Sequence, residues 1–158
     1  MSDEPNARPW PDLAGHLIEV EGKRAHVLGL RVYFEDTDFS GLVYHASYVR
    51  WCERGRSDFL RLLGSEHRAL MAGASGEPAA FVVRRLNLEY LKPARIDDVL
   101  EVTTRVKIMT AATLVLIQAV SRGAEILCEA EVTVVLVSAS GRVLRLSTAL
   151  RGQLGTGG

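Results

Sequence analysis

Apolar residues recur at helical steps in the middle of this chain and at alternate positions in its second half. Tyr48, Trp51, Cys52, Gly55, Phe59, Leu62 and Leu63 fall on one face at three- and four-residue spacing, with Arg50, Arg54, Ser57 and Arg61 opposite. That pattern predicts an amphipathic helix over about 46–63, with Gly64 as its stop. Gly55 lies within the apolar face, where it costs ~1 kcal/mol relative to Ala. A close backbone approach to a sheet would compensate, so the helix is expected to be a central, sheet-packed element. Upstream, HLIEVEGKRAHVLGLRVYF reads as a hairpin turning at Glu21-Gly22-Lys23, leading into a strand around 27–34.

Beyond Gly64, Glu66 to Glu77 is polar and Gly-rich, a loop or a frayed continuation of the helix. The period then becomes two. Over 81–91, Val82, Leu86, Leu88 and Tyr90 alternate with Arg85, Asn87 and Glu89, and Pro93 and Asp97-Asp98 mark a turn. Over 99–109, Leu100, Val102, Val106 and Ile108 oppose Glu101, Thr103, Arg105 and Lys107. A strand over 112–122 and a turn at Gly123 follow. Then 126–138 places Ile126, Cys128, Ala130, Val132, Val134 and Leu136 on one side. Ser140-Gly141-Arg142 closes that run, and 143–151 reads as a short strand or helical turn. Strands grouped after a helix, with short connections, predict an α+β fold: one antiparallel sheet wrapped around one long helix. The expected organisation is a flexible segment at 1–15, a single domain over 16–151 and a flexible tail at 152–158.

Composition narrows the function by exclusion. The 158 residues are 47% hydrophobic and 24% charged, as in an ordinary globular domain. Lys+Arg and Asp+Glu are both 19, which points to neither nucleic acid nor a membrane surface as partner. No apolar run approaches the ~20 residues that span a bilayer. MSDEPNARPWPDLAG lacks the apolar core of a signal peptide, so a cytoplasmic location is expected. The two cysteines, Cys52 and Cys128, then read as reduced, buried apolar residues. The four histidines show no metal-ligand spacing, and neither a metal nor a cofactor is expected.

Chemistry is concentrated in EDTDFSGLVYHASYVRW, Glu35 to Trp51, where a strand feeds a helix. The first N–H groups of a helix have no internal partner and carry partial positive charge. A carbonyl docked there can be polarised by backbone alone. A nearby carboxylate, Asp38, could attack that carbonyl or activate a water against it, and Gly41 would let the backbone approach a ligand closely. Bland readings stand beside this one. Asp38 also suits a turn former, His45 a structural histidine, and Tyr44, Tyr48 and Trp51 core or pocket wall. Glu35 and Asp36 would face solvent or pair locally, and Glu53 would make an ion pair or polar contact. There is no G-x-S-x-G, GxGxxG or P-loop signature.

The string YFEDTDFSGLVYHASYVRWCERGRSDFLR closely resembles the hotdog-fold acyl-CoA thioesterases of the Tol–Pal-associated group, relatives of 4-hydroxybenzoyl-CoA thioesterase. FVVRRLNLEYLKPARIDDVLEV and EAEVTVVLVS extend the likeness over about 28–147. The resemblance implies a hotdog fold, a homo-oligomer that is either a dimer with sheets joined edge to edge or a tetramer made by pairing such dimers, and active sites at the dimer interface. It implies Asp38 as the catalytic carboxylate, nucleophile or general base. It implies His45 as both a backbone N–H facing the thioester carbonyl and a catalytic side chain. Residues 45–48, thus Ala46, Ser47 and Tyr48 as well, would form the helix end that polarises the thioester, and Tyr44 would line the acyl pocket. The implied substrate is an acyl-CoA. In the 4-hydroxybenzoyl relatives, basic residues at a strand turn grip the CoA phosphates; here Thr110-Ala111-Ala112-Thr113 stands there, with Lys107 the nearest cation. That departure makes an acyl group on an acyl carrier protein a second candidate substrate. A hydratase acting on acyl thioesters and a non-catalytic acyl-binding or scaffold protein are the rival functions.

Overall fold

Residues 15–65, 67–73 and 76–155 are described in the structure, a computed structural model. Most of the segment expected to be flexible at 1–15, all but Gly15, and the last three residues of the tail lie outside that range. The expected hairpin is present: β1 (His16–Val20) and β2 (Lys23–Arg31) pair antiparallel through Glu21 and Gly22, at φ 52° and 77°. Positive φ at both central residues suits the right-handed twist of the flanking strands.

The helix expected over 46–63 is α1 (His45–Leu62). It ends where Gly64 takes φ 87°, with Ser65 N–H donating to Leu60 and Gly64 N–H to Arg61. This closure uses the left-handed conformation that glycine adopts without steric cost. A short helix, α2 (His67–Met71), occupies part of the expected loop and buries Leu70. The strands β3 (Ala79–Tyr90), β4 (Val99–Met109), β5 (Thr113–Arg122), β6 (Glu125–Ser138) and β7 (Val143–Leu144) follow. All pairs are antiparallel, in the order β1-β2-β4-β5-β6-β3, with β7 against the end of β6. β3 is thus an edge strand, although it precedes β4 in sequence. The α+β architecture is the expected one. The boundary placed at 151 falls inside a final helix, α3 (Thr148–Gly155), whose Leu150 and Leu154 are buried, so 152–155 belong to the folded domain.

Three register shifts break the strict alternation expected of the strands. Between Val106 and Ile108 of β4 the phase changes, so Ile108 faces outward and Met109 packs against the core. Opposite Val120 and Ser121 of β5, Leu127 of β6 is buried and Ile126 exposed, the reverse of the expected order. Each extra residue bends its strand and tightens the local twist, as a sheet that curls around a helix requires.

The face of α1 turned to the sheet buries Tyr48, Trp51, Cys52, Gly55 and Phe59, and also Arg56, which its spacing had left unassigned. Gln118 of β5 binds the helix at this level: its amide donates to the Cys52 carbonyl (2.8 Å) and to Thr104 (2.9 Å), and its oxygen accepts from Arg56 (3.0 Å). The close approach expected at Gly55 is real. A Cβ there would lie 3.0 Å from Val102 and 3.2 Å from both the Gln118 amide and the Thr104 hydroxyl. Gly55→Ala is therefore expected to destabilise the fold by about 1–3 kcal/mol, despite alanine's better helix propensity, because overpacking displaces a satisfied polar clamp. Denaturant unfolding measures this directly, and a gain in stability would contradict it.

At the far side of the helix, His26 is fully buried with its Nε2 2.6 Å from Asp58, which also accepts from Gly15 N–H (2.7 Å) and Arg61 (2.9 Å). Burial holds the His26 pKa down against the pull of Asp58, so the neutral ring donates to an ionised carboxylate. Both cysteines are free and buried, and burial pushes Cys52 to about 11 and Cys128 to about 12. No helix among the described residues is long and apolar enough to cross a membrane.

Candidate active site

The chain between β2 and α1 is held at several points. Val32 exchanges backbone bonds with Asp97 and Asp98, a single turn of 3-10 helix covers Phe34–Asp36, and isolated bridges join Thr37 to Val43 and Leu42 to Arg95. Asp36 pairs locally, as expected: its carboxylate accepts from Tyr33 N–H (2.8 Å) and its carbonyl from Tyr44 N–H (2.8 Å) and the Ser47 hydroxyl (3.1 Å). Gly41, at φ 83° with open space where a Cβ would stand, closes the turn by donating to the Asp38 carbonyl. Its left-handed conformation is the reason for glycine here.

Asp38 stands at the tip of this braced loop with its carboxylate in solvent. One oxygen accepts from the backbone N–H of Ser40 (2.8 Å) and from the Ser40 hydroxyl. Those bonds, first the hydroxyl and then the amide, with a smaller attraction to His45, hold its pKa below the usual carboxylate value. Turn former and reactive carboxylate are thus compatible roles, because only one oxygen is engaged by the turn. Ser40 was missed in the sequence; an Asp followed two residues later by Ser is its signal.

His45 begins α1. Its N-cap residue, Tyr44, is extended (φ −63°, ψ 132°), makes no side-chain cap, and no acidic residue lies in the first turn. Ser47 N–H donates to the Tyr44 carbonyl. Among the described residues, the N–H groups of His45 and Ala46 have no acceptor. An 18-residue helix therefore presents its positive end unanswered by any described residue, on the side of the fold where Asp38 lies.

The expected substrate-contacting residues divide by position. Gly41 and Tyr44 are exposed and Ala46 half-buried, around the free helix end. Ser47 and Tyr48 are buried: Ser47 ties the helix to Asp36, and the Tyr48 hydroxyl accepts from Ala94 N–H (2.9 Å) while its ring stacks edge-on against Trp51 and Tyr90. Tyr90 of β3 adds a contact that no local pattern indicates. Its hydroxyl donates to the His45 carbonyl (2.8 Å) and its ring meets the imidazole edge-on. The aromatic frame of Tyr44, Tyr48 and Tyr90 therefore fixes the direction of the first helical turn. A wider groove, of about 640 Å³, lies elsewhere, between β2 and the outer face of α1.

Residues 40–129, more than half of the chain, match the family model described as the thioesterase superfamily. The chain is 48% identical to the acyl-CoA thioester hydrolase YbgC of Escherichia coli over 109 residues, covering 68% of this chain and 78% of that one. It is 39% identical to the acyl-CoA thioesterase YbgC of Haemophilus influenzae over 108 residues, covering 68% and 77%. The crystal structure of a probable thioesterase from Bartonella henselae superposes with a TM-score of 0.76 at 40% identity, over 78% of this chain and 99% of that one. With a helix wrapped by one antiparallel sheet, and with these relatives, the chain belongs to the thioesterase superfamily as a thioester hydrolase of the hotdog fold.

Proposed function

We propose that this protein hydrolyses the thioester of an acyl-CoA, with the carbonyl oxygen received by the free amides at the start of α1 and the attack supplied by Asp38. The observation that carries the reading is the uncapped helix end beside an ionised, half-engaged carboxylate. Asp38 either adds to the carbonyl carbon itself or takes a proton from a water that adds instead. In both routes negative charge develops on the carbonyl oxygen, where the N–H of His45 meets it. Collapse breaks the C–S bond and the CoA thiolate leaves; on the direct route water then cleaves the acyl-Asp38 anhydride, and on either route the His45 side chain assists the proton transfers that complete the thiol and the acid. Gly41, Tyr44 and Ala46 border the acyl group, while Ser47 and Tyr48 act through the framework.

β3 is the proposed seam of a homodimer. Among the described residues it pairs only with β6, and it exposes Val82, Val83, Leu86 and Tyr90 along an edge that an unpartnered chain would ordinarily protect. Lys107, the cation nearest the β4–β5 turn in sequence, is paired with Glu131 at the surface (2.8 Å), while Leu146 N–H donates to the Ala111 carbonyl and brings Arg145 to that turn, so both are candidates to meet the CoA phosphates.

A thiol-release assay over a panel of acyl-CoAs tests the activity. Release of CoA from at least one chain class, saturating with substrate, is expected; saturable binding without thiol release would make this an acyl-binding protein. The Ser40 contact makes a second test. Its hydrogen bonds favour the ionised carboxylate, so Ser40→Ala is expected to raise the Asp38 pKa toward the ordinary value and move the acid limb of kcat/KM to higher pH. An acid limb unmoved by the substitution would detach Asp38 from the rate.

A further inference from the structure

We propose that the small cavity between the middle of α1, α2 and the beginning of β3 binds an oxyanion, a phosphoryl or carboxylate group, held by Arg56 and His67. The cavity is about 90 Å³ and is lined by Glu53, Arg56, Ser57 and His67, with apolar residues of β3 and β6 closing it. That volume suits about three waters or one small oxyanion, and is too small for an acyl chain.

Its lining is unusual in charge. Arg56 is 8% exposed, yet among the described residues no carboxylate lies within ion-pairing distance, and its guanidinium has one neutral acceptor, the Gln118 oxygen. A charge this far from water is ordinarily paired, because removing it from solvent is expensive. Burial acts on Arg56 in the direction that penalises its charge. Gln118 occupies only Nη1, and the rest of the planar fork suits two oxygens of one anion. The second observation is independent. His67 Nε2 is shielded from solvent and has no hydrogen-bond partner among the described residues, although the same cavity borders it. With a proton on Nε2, it adds a donor where Arg56 leaves several.

Among the described residues, the acidic groups nearby do not supply the missing partner, Glu53 attracting the Arg56 charge without forming an ion pair with it. Glu53 is exposed and its Oε1 accepts from the Ser57 hydroxyl (3.0 Å). Asp58 is bound by His26, Arg61 and Gly15. The larger groove shares Glu53, Ser57 and His67 with the cavity and carries Arg54 and Arg68, neither ion-paired among the described residues, so the approach is basic as well.

Isothermal titration of the full chain with inorganic phosphate and, separately, with acetate at matched ionic strength is the test. Saturable one-site binding of at least one is expected, with affinity at least about tenfold weaker in His67→Ala and in Arg56→Gln. A response to phosphate alone assigns a phosphoryl group, and to acetate alone a carboxylate. Circular dichroism confirms folding of each variant, and His67→Ala leaves the Gln118 clamp intact should Arg56→Gln not fold. No saturable heat with either anion, or affinity unchanged in the folded variants, would overturn the site. The readout uses no thioester, so its failure leaves the roles of Asp38 and His45 untouched.

Discussion

Asp38→Asn is expected to lower kcat for thioester hydrolysis by about 10²–10⁴-fold, the range over which a positioned acid–base group contributes. The asparagine keeps an oxygen where Ser40 donates, so the loop should hold its shape and thermal stability should change little. KM should move far less than kcat, because in the proposed role the carboxylate acts on the carbonyl or on water and is not a ground-state anchor. Steady-state kinetics on the two proteins, with melting temperatures beside them, separate these effects. Turnover at the parent rate in the folded variant would return Asp38 to the status of a turn former.

The second large effect separates the backbone of His45 from its side chain. His45→Ala and His45→Pro both remove the imidazole, but only the proline also removes the N–H. The first helical position accepts proline well, and Tyr44 already has the extended conformation that a following proline demands. His45→Pro is therefore expected to fold, and to turn over about 10²–10³-fold more slowly than His45→Ala, the range measured when one oxyanion donor is lost. Equal rates in the two variants would place the oxyanion elsewhere. A rate in His45→Ala close to the parent would limit the residue's role to its amide.

Much of this architecture was legible because it rests on neighbours in sequence. The hairpin at Glu21-Gly22, the helix ending at Gly64 and the turn from Asp38 to Gly41 are decided within a few residues, although residues 94–98 brace the loop that carries the turn. Gly55 was legible for another reason: a glycine on a helix's apolar face carries a propensity cost that only packing explains. What escaped depends on distance or on phase. Tyr90 reaches the His45 carbonyl across 45 residues, and nothing local in β3 announces that bond. The shifts at Val106/Ile108 and Val120/Ser121 each insert one residue, which puts the side chains on its two sides out of phase, so Ile108, after one, and Ile126, before the other, were placed inward. A helical turn was one of two readings of 143–151, but its continuation to Gly155 was hidden by the glycines, though Leu150 and Leu154 lie one turn apart. Arg56 was left unassigned because its partner, Gln118, lies 62 residues away on β5.

The two buried cysteines bear on the fate of the reaction's second product. Hydrolysis of an acyl-CoA liberates a reactive sulfhydryl inside the protein's own reach at every turnover. Cys52 and Cys128 lie within the core with thiols shifted to about 11 and about 12, so almost none of either is thiolate at neutral pH, and neither is accessible to a disulfide. Under oxidising conditions the protein should therefore neither capture its product as a mixed disulfide nor be inactivated by it, and every sulfhydryl titrated in its native solution belongs to the cleaved ester.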